Sequence, residues 1–208
     1  MKHPFWSLPG LLTAAWCGTL LGGCVNLEPQ IDETRFYTLA SALPARTGTQ
    51  PAGAVSAALR VSVAADYLQQ PAIAVRETAQ EIALQEGHRW AEQIKLGVAR
   101  IVQDGLERRN ESLAIEQLAR HPGGDHQLLI DIMVTACEGT RDGGAVLDAD
   151  WQIFTGNNAA PRTAGRFHGT EPGWDGQDFG QLAALLSQLA DELAGDIAPT
   201  IEQAAAQL

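Results

Sequence analysis

The sequence predicts an α/β fold: a single-domain sandwich in which two long helices flank a mixed, largely antiparallel sheet. Three observations predict it. Short alternating or β-branched segments recur along the chain in two groups. Between the groups, Ile94, Val98, Ile101, Val102 and Leu106 repeat at helical spacing. After the second group comes another such stripe: Leu182, Leu185, Leu186, Leu189, Leu193, Ile197 and Ile201. The 208 residues suit one domain with a tail, and a net charge of −11 disfavours a nucleic-acid partner.

Taken in order, residues 1–23 read as an export signal. Lys2 supplies a short positive start, and the apolar run from Phe5 to Leu21 is broken by Pro9 and Gly10, too short for a comfortable membrane span. Leu21-Gly22-Gly23-Cys24 fits a bacterial lipobox, with small side chains beside the cut and a thiol that accepts diacylglycerol. Trp16 is too bulky to precede a cut at Cys17. A Cys24–Cys137 disulfide is the poorer alternative, and neither cysteine has metal-ligand spacing. The expected mature chain begins at Cys24, carrying diacylglycerol and an N-acyl group and no other cofactor. At about 0.8 kcal/mol per buried methylene, such an anchor is effectively permanent. Val25, not Asp, follows the cysteine, which by the enterobacterial sorting rule points to the periplasmic face of the outer membrane. Residues 24–35 then form a tether and 36–208 the domain.

Within the domain, Phe36-Tyr37-Thr38-Leu39 is a compact strand signal, and residues 41–58, without periodicity, predict a flexible loop. Leu59, Val61 and Val63 alternate against Arg60, Ser62 and Ala64 as a strand. Residues 72–77 read as a strand, 81–85 as its hairpin partner, and Glu86-Gly87 as a turn. A helix is expected over 89–108, weakened by about 1 kcal/mol at each of Gly97 and Gly105, so packing must hold it. Leu128, Ile130, Ile132 and Val134 share one face of a strand that returns, through a turn at Asp142-Gly143-Gly144, over 145–154. Gly156-Asn157-Asn158 breaks the chain before a last strand over 162–169. Asp178 reads as an N-cap with Gln181 as the second half of a capping box, and Pro199 bends or frays the end of the final helix.

Few constellations carry chemistry. His121-Pro122-Gly123-Gly124-Asp125-His126 holds two histidines and a carboxylate, but Pro-Gly-Gly fixes no ligand geometry and predicts a solvated loop. The acidic loop from Gly173 to Asp178 lacks the ligand alternation of an EF-hand. There is no Gly-x-Ser-x-Gly elbow, and Cys137 has no histidine at useful spacing. Glu77 and Glu81 flank a turn, and Asp148 and Asp150 share a solvent face. The reading is no metal site, no catalytic residue and no enzyme. Tyr67, Leu68 and Pro71 lie between two strands where polar residues are usual, which makes them candidate partner contacts. Ile73, Arg76 and Trp90 complete that set, with a core role open for Trp90 and a structural ion pair open for Arg76.

Three motifs behind the lipobox carry a resemblance: Tyr37-Thr38-Leu39, then Tyr67 through Arg76 in a Tyr-Leu-x-x-Pro-x-Ile-x-x-Arg pattern, then Trp90-Ala91-Glu92. In that order they resemble the ABC-type transport auxiliary lipoproteins, the PqiC-like (paraquat-inducible) family. Gln69-Gln70 departs from it, since the family often carries an acid and a base there. The resemblance implies an anticodon-binding-domain-like sandwich and Trp-Ala-Glu at the start of a helix. It also implies a non-catalytic accessory of an envelope lipid-transport system, docking a periplasm-spanning MCE-type protein at the outer membrane, compatible with a homo-oligomeric collar. The alternative is a lipoprotein that itself binds lipid or a small apolar ligand, which needs a pocket of roughly 300 Å³.

Overall fold

The computed structural model describes residues 33–44, 53–118, 125–156 and 161–208, within one compact unit, Glu33–Leu208. The expected signal and Cys24 lie outside the described residues. The elements are β1 (Arg35–Tyr37), β2 (Val55–Val63), a 3-10 turn (Asp66–Gln69), β3 (Ala72–Thr78), β4 (Glu81–Trp90) and α1 (Ile94–Arg109). They continue as β5 (Leu113–Gln117), β6 (Leu128–Thr140), β7 (Gly144–Thr155), β8 (Thr163–Pro172) and α2 (Phe179–Ala205).

The eight strands form one mixed sheet that forks at β6. Along one edge, β7 pairs with β6 over its whole length and β8 pairs with β7, both antiparallel. The opposite edge is shared. β2 runs parallel to the first half of β6, up to Val63↔Val134, and β3 rejoins it in parallel at Val75↔Gly139 and Arg76↔Thr140. β5 flanks β2 in parallel, β4 flanks β3 in antiparallel, and β1 runs parallel to β4. The predicted mixed sheet with two helices is what the chain builds, and its long ladders are the antiparallel ones.

Alternation along the strands decides which face is buried. Ile130, Ile132, Val134, Leu147, Ala149 and Ile153 point inward and are shielded from solvent, while Asp131, Met133, Asp148, Asp150 and Gln152 point to the other side. Both helices cover the inward face, α2 over β6 to β8 and α1 over β2 and β5. Each fully buried Leu or Ile contributes roughly 1.5–3 kcal/mol there. The expected weakness at Gly105 is a packing requirement: a Cβ on it would lie 2.7 Å from the Ala194 Cβ, so glycine lets the helices cross closely. At that crossing Arg108 and Arg109 both donate to Asp191, at 2.5 and 2.7 Å. The Arg109 bond holds the Asp191 carboxyl below its ordinary value. A depressed carboxyl stabilises above its unfolded value and loses that contribution as pH falls through the folded one. Asp191→Asn should therefore cost about 1 kcal/mol at neutral pH, allowing for solvent screening, and in urea titrations the deficit should begin to shrink below about pH 4 and close as pH falls through the depressed folded value.

Several expectations change. β2 begins at Val55, inside the expected loop, because Ala57 and Ala58 are paired and buried between β5 and β6. β4 does not turn at Glu86-Gly87; it runs on to Trp90 through an irregularity that takes the pairing from Gln85 to Arg89. Trp90 therefore closes a strand rather than opening a helix. Its N–H donates to the Pro71 carbonyl at 2.7 Å, and α1 starts at Ile94. β5 was not foreseen, although Leu113, Ile115 and Gln117 alternate inward. Its outer edge is covered by α1: the Ile115 N–H donates to Glu107 Oε1 and its carbonyl accepts from Gln103 Nε2, both at 3.0 Å.

The Asp178 cap stands, its Oδ1 accepting from the Gly180 and Gln181 N–H groups, but α2 begins at Phe179 and continues past Pro199 to Ala205. Of the histidine-bearing loop, residues 121–124 lie outside the described residues. His126 is no solvated loop residue: its side chain is 11% exposed, shares a 3.0 Å hydrogen bond with Ser56 Oγ, and sits 3.6 Å from Glu116. It ties the β5–β6 crossover to β2. His126→Ala should cost about 1 kcal/mol in chemical denaturation.

Candidate docking site

The fork in the sheet creates the candidate site. β2 ends at Val63 and β3 joins β6 only at Gly139, so residues 135–138 have no strand on that edge. The 3-10 turn that links β2 to β3 packs into this gap. Leu68 anchors it from inside, 6% exposed, and the Gln70 N–H closes it on the Tyr67 carbonyl at 3.2 Å. A register shift after Val134 resets the alternation of β6, so Cys137 and Gly139 point to the helices and Glu138 points away from them.

Glu138 is a carboxylate at 1% exposure, and two side chains meet it. The Tyr67 hydroxyl donates to Oε2 at 2.7 Å, and Arg76 Nε donates to Oε1. Arg76 Nη1 also reaches the Ala79 carbonyl at 3.3 Å, tying the β3–β4 turn to the same point. The bond to Glu138 holds the Arg76 guanidinium above its ordinary value. Burial first, then the bond to Glu138, push the Tyr67 hydroxyl up, so it remains a donor. Cys137, next in chain, is pushed up to about 12 by burial and by Glu138, which keeps it a thiol rather than a nucleophile. The chemistry of this cluster is that of a clamp: a charged donor and a neutral donor hold one buried anion.

The structure thus divides the six candidate contacts. Leu68, Ile73 and Trp90 belong to the hydrophobic core. Tyr67 and Arg76, half-buried, converge on Glu138. Pro71 is exposed, beside exposed Gln69 and Gln70. A crevice of about 130 Å³ opens next to the turn, lined by Val63, Leu68, Gln69, Gln93, Ile94 and Lys95, with room for about one side chain of a partner. A larger, open groove of about 650 Å³ runs along Thr38–Pro44, with Glu92, Arg100 and Asp104 on its wall. The sequence reading missed Glu138. Its signal was there, a lone carboxylate in the run Val134-Thr135-Ala136-Cys137-Glu138-Gly139.

Residues 37–198 match the family model described as the ABC-type transport auxiliary lipoprotein component, a span that includes the whole clamp. Among solved structures, an uncharacterized protein superimposes with a TM-score of 0.65 at 19% identity, over 81% of this chain and 98% of its own. A Xanthomonas campestris protein of the DUF330 family follows at 0.62 and 16%, over 83% of this chain and 98% of its own. At such identities the likeness is one of fold. No curated protein matches the chain.

Proposed function

Because the chain belongs to the family of ABC-type transport auxiliary lipoprotein components, we propose that it is a non-catalytic, lipid-anchored subunit of an envelope lipid-transport system of the MCE or Pqi type. In this reading Cys24 carries the acyl chains, the domain stands on the periplasmic face of the outer membrane, and it docks or stabilises the periplasm-spanning component. The observation that carries it is the clamped turn. Burying a carboxylate is costly unless it is paired, and here Tyr67 and Arg76 pair Glu138 beneath a surface corner. The corner presents Gln69, Gln70 and Pro71 beside a crevice sized for one partner side chain. A preorganised loop of this kind lowers the ordering cost of binding a protein.

The experiment is co-purification. Lipidated protein drawn from detergent-solubilised envelope should bring an MCE-type protein with it, and native mass spectrometry of the same sample reads how many copies assemble. Repeated recovery without any MCE component contradicts the proposal.

A further inference from the structure

The face of the sheet that neither α1 nor α2 covers has a composition of its own. Opposite the inward rows lie Arg60 and Asp131, Met133 and Asp150, Asp148 and His168, and Asp150 and Arg166, as direct cross-strand neighbours. On the other fork, Phe36, Arg89 and Ala72 stand in one row and Leu84 and Ala74 in the next, on the side away from inward-pointing Ile73 and Val75. Three large apolar side chains are therefore exposed on one face: Phe36 at 65%, Met133 at 41% and Leu84 at 40%.

The charges on this face are layered. In each ion pair the basic partner is outermost: Arg60 is 52% exposed against 24% for Asp131, Arg166 78% against 32% for Asp150, and His168 67% against 33% for Asp148. On the helical side the two helices differ: α1 carries Lys95, Arg100, Arg108 and Arg109 beside Asp104 and Glu107. α2 carries Asp191, Glu192, Asp196 and Glu202 and not one Lys or Arg. A chain with a net charge of −11 thus sets guanidinium groups and bare apolar side chains outermost on this face, above the carboxylates that pair with them.

We propose that this uncovered face rests on the surface of the membrane that holds the anchor. Arg60, Arg89 and Arg166 meet anionic phosphate headgroups, and Phe36, Leu84 and Met133 enter the interfacial layer. Basic groups are drawn to anionic lipid within a Debye length, and apolar side chains among them add buried area. The inference rests on acylation of Cys24, as in the function proposed above. That anchor is what favours a bilayer over another protein: only ten residues lie between Cys24 and Arg35, a reach of at most about 40 Å fully extended. The tether ends at β1, the strand that carries Phe36.

The test uses the full lipidated protein in vesicles with and without phosphatidylglycerol. An environment-sensitive dye is attached at Leu84→Cys or, as the control, at Gln188→Cys on the exposed side of α2. Cys24 is acylated and Cys137 is buried, so the introduced thiol is the one that reacts. The expected result is a several-fold rise and blue shift of emission at position 84 in phosphatidylglycerol vesicles, with quenching by lipid-borne quencher. Position 188 should be unchanged, and Arg60→Glu with Arg166→Glu should remove most of the rise while the protein still floats with the vesicles. If the protein floats but the dye at position 84 stays in water, this inference fails and the anchor stands. If the protein does not float, the anchor reading fails and takes this inference with it. If the dye is shielded equally in detergent, or only when a second protein is added, the face belongs to another copy or to a protein partner, and the membrane assignment is overturned.

Discussion

Arg76→Met should destabilise the domain by about 3 kcal/mol, the lower end for breaking a buried ion pair because the arginine itself is partly exposed. The variant leaves Glu138 shielded from solvent with the Tyr67 hydroxyl as its remaining clamp partner. For a domain of this size that corresponds to a fall in Tm of roughly 6–12 °C by calorimetry. The reverse truncation should be milder. Glu138→Gln keeps an acceptor for Tyr67 and frees a guanidinium that can turn to water, so about 1 kcal/mol is expected. That asymmetry is the informative part. If the clamp were an ordinary surface pair, both variants would fall within about 0.5 kcal/mol of wild type. Replacing both partners by Arg76→Met and Glu138→Leu should recover much of the Arg76→Met deficit, because no unpaired charge is left inside. Loss of partner binding by this double variant, with stability regained, would show that the clamp serves the surface corner rather than the fold.

Cys24→Ser should abolish acylation and, with it, processing of the chain. The expected result is a precursor that keeps residues 1–23, lacks the mass of diacylglycerol and N-acyl groups, and stays with the inner membrane through its apolar run. Loss of the acyl chains removes a binding term of about 0.8 kcal/mol per buried methylene, far larger than any surface contact could replace. Mass spectrometry of the purified chain reads this directly. A Cys24→Ser chain that is cleaved and acylated as before contradicts the anchor.

Much of the fold was legible in the sequence because its signals are periodic. The stripes from Ile94 to Leu106 and from Leu182 to Ile201 map onto α1 and α2, and the alternation from Leu128 to Val134 maps onto β6. What escaped was set by distant partners. Ala57 and Ala58 form strand because β5 and β6 close around them, a circumstance that local propensity does not carry. Glu86-Gly87 has turn chemistry, but the strand runs through it to place Trp90 beside Tyr37. Among the candidate contacts, sequence pattern singled out the segment from Tyr67 to Arg76 but not which way each side chain points. Leu68 and Ile73 turn inward, Tyr67 and Arg76 turn to Glu138, and Pro71 is left at the surface. Glu138 stood out locally only as a lone carboxylate in its run; its role depends on a register shift in β6 and a fork in the sheet, neither of which is written locally.

In the function proposed above, the periplasm-spanning component docks at the clamped corner of Gln69, Gln70 and Pro71. The most direct measurement is site-specific photo-crosslinking in living cells, with a photoreactive residue in place of Gln70 in the otherwise native, acylated protein. A control carries it at Gln188 on the exposed side of α2. An adduct with an MCE-type protein is expected from position 70 and none from position 188. No adduct from position 70 while the protein is acylated and expressed at its normal level, or an MCE adduct from position 188 alone, would contradict it.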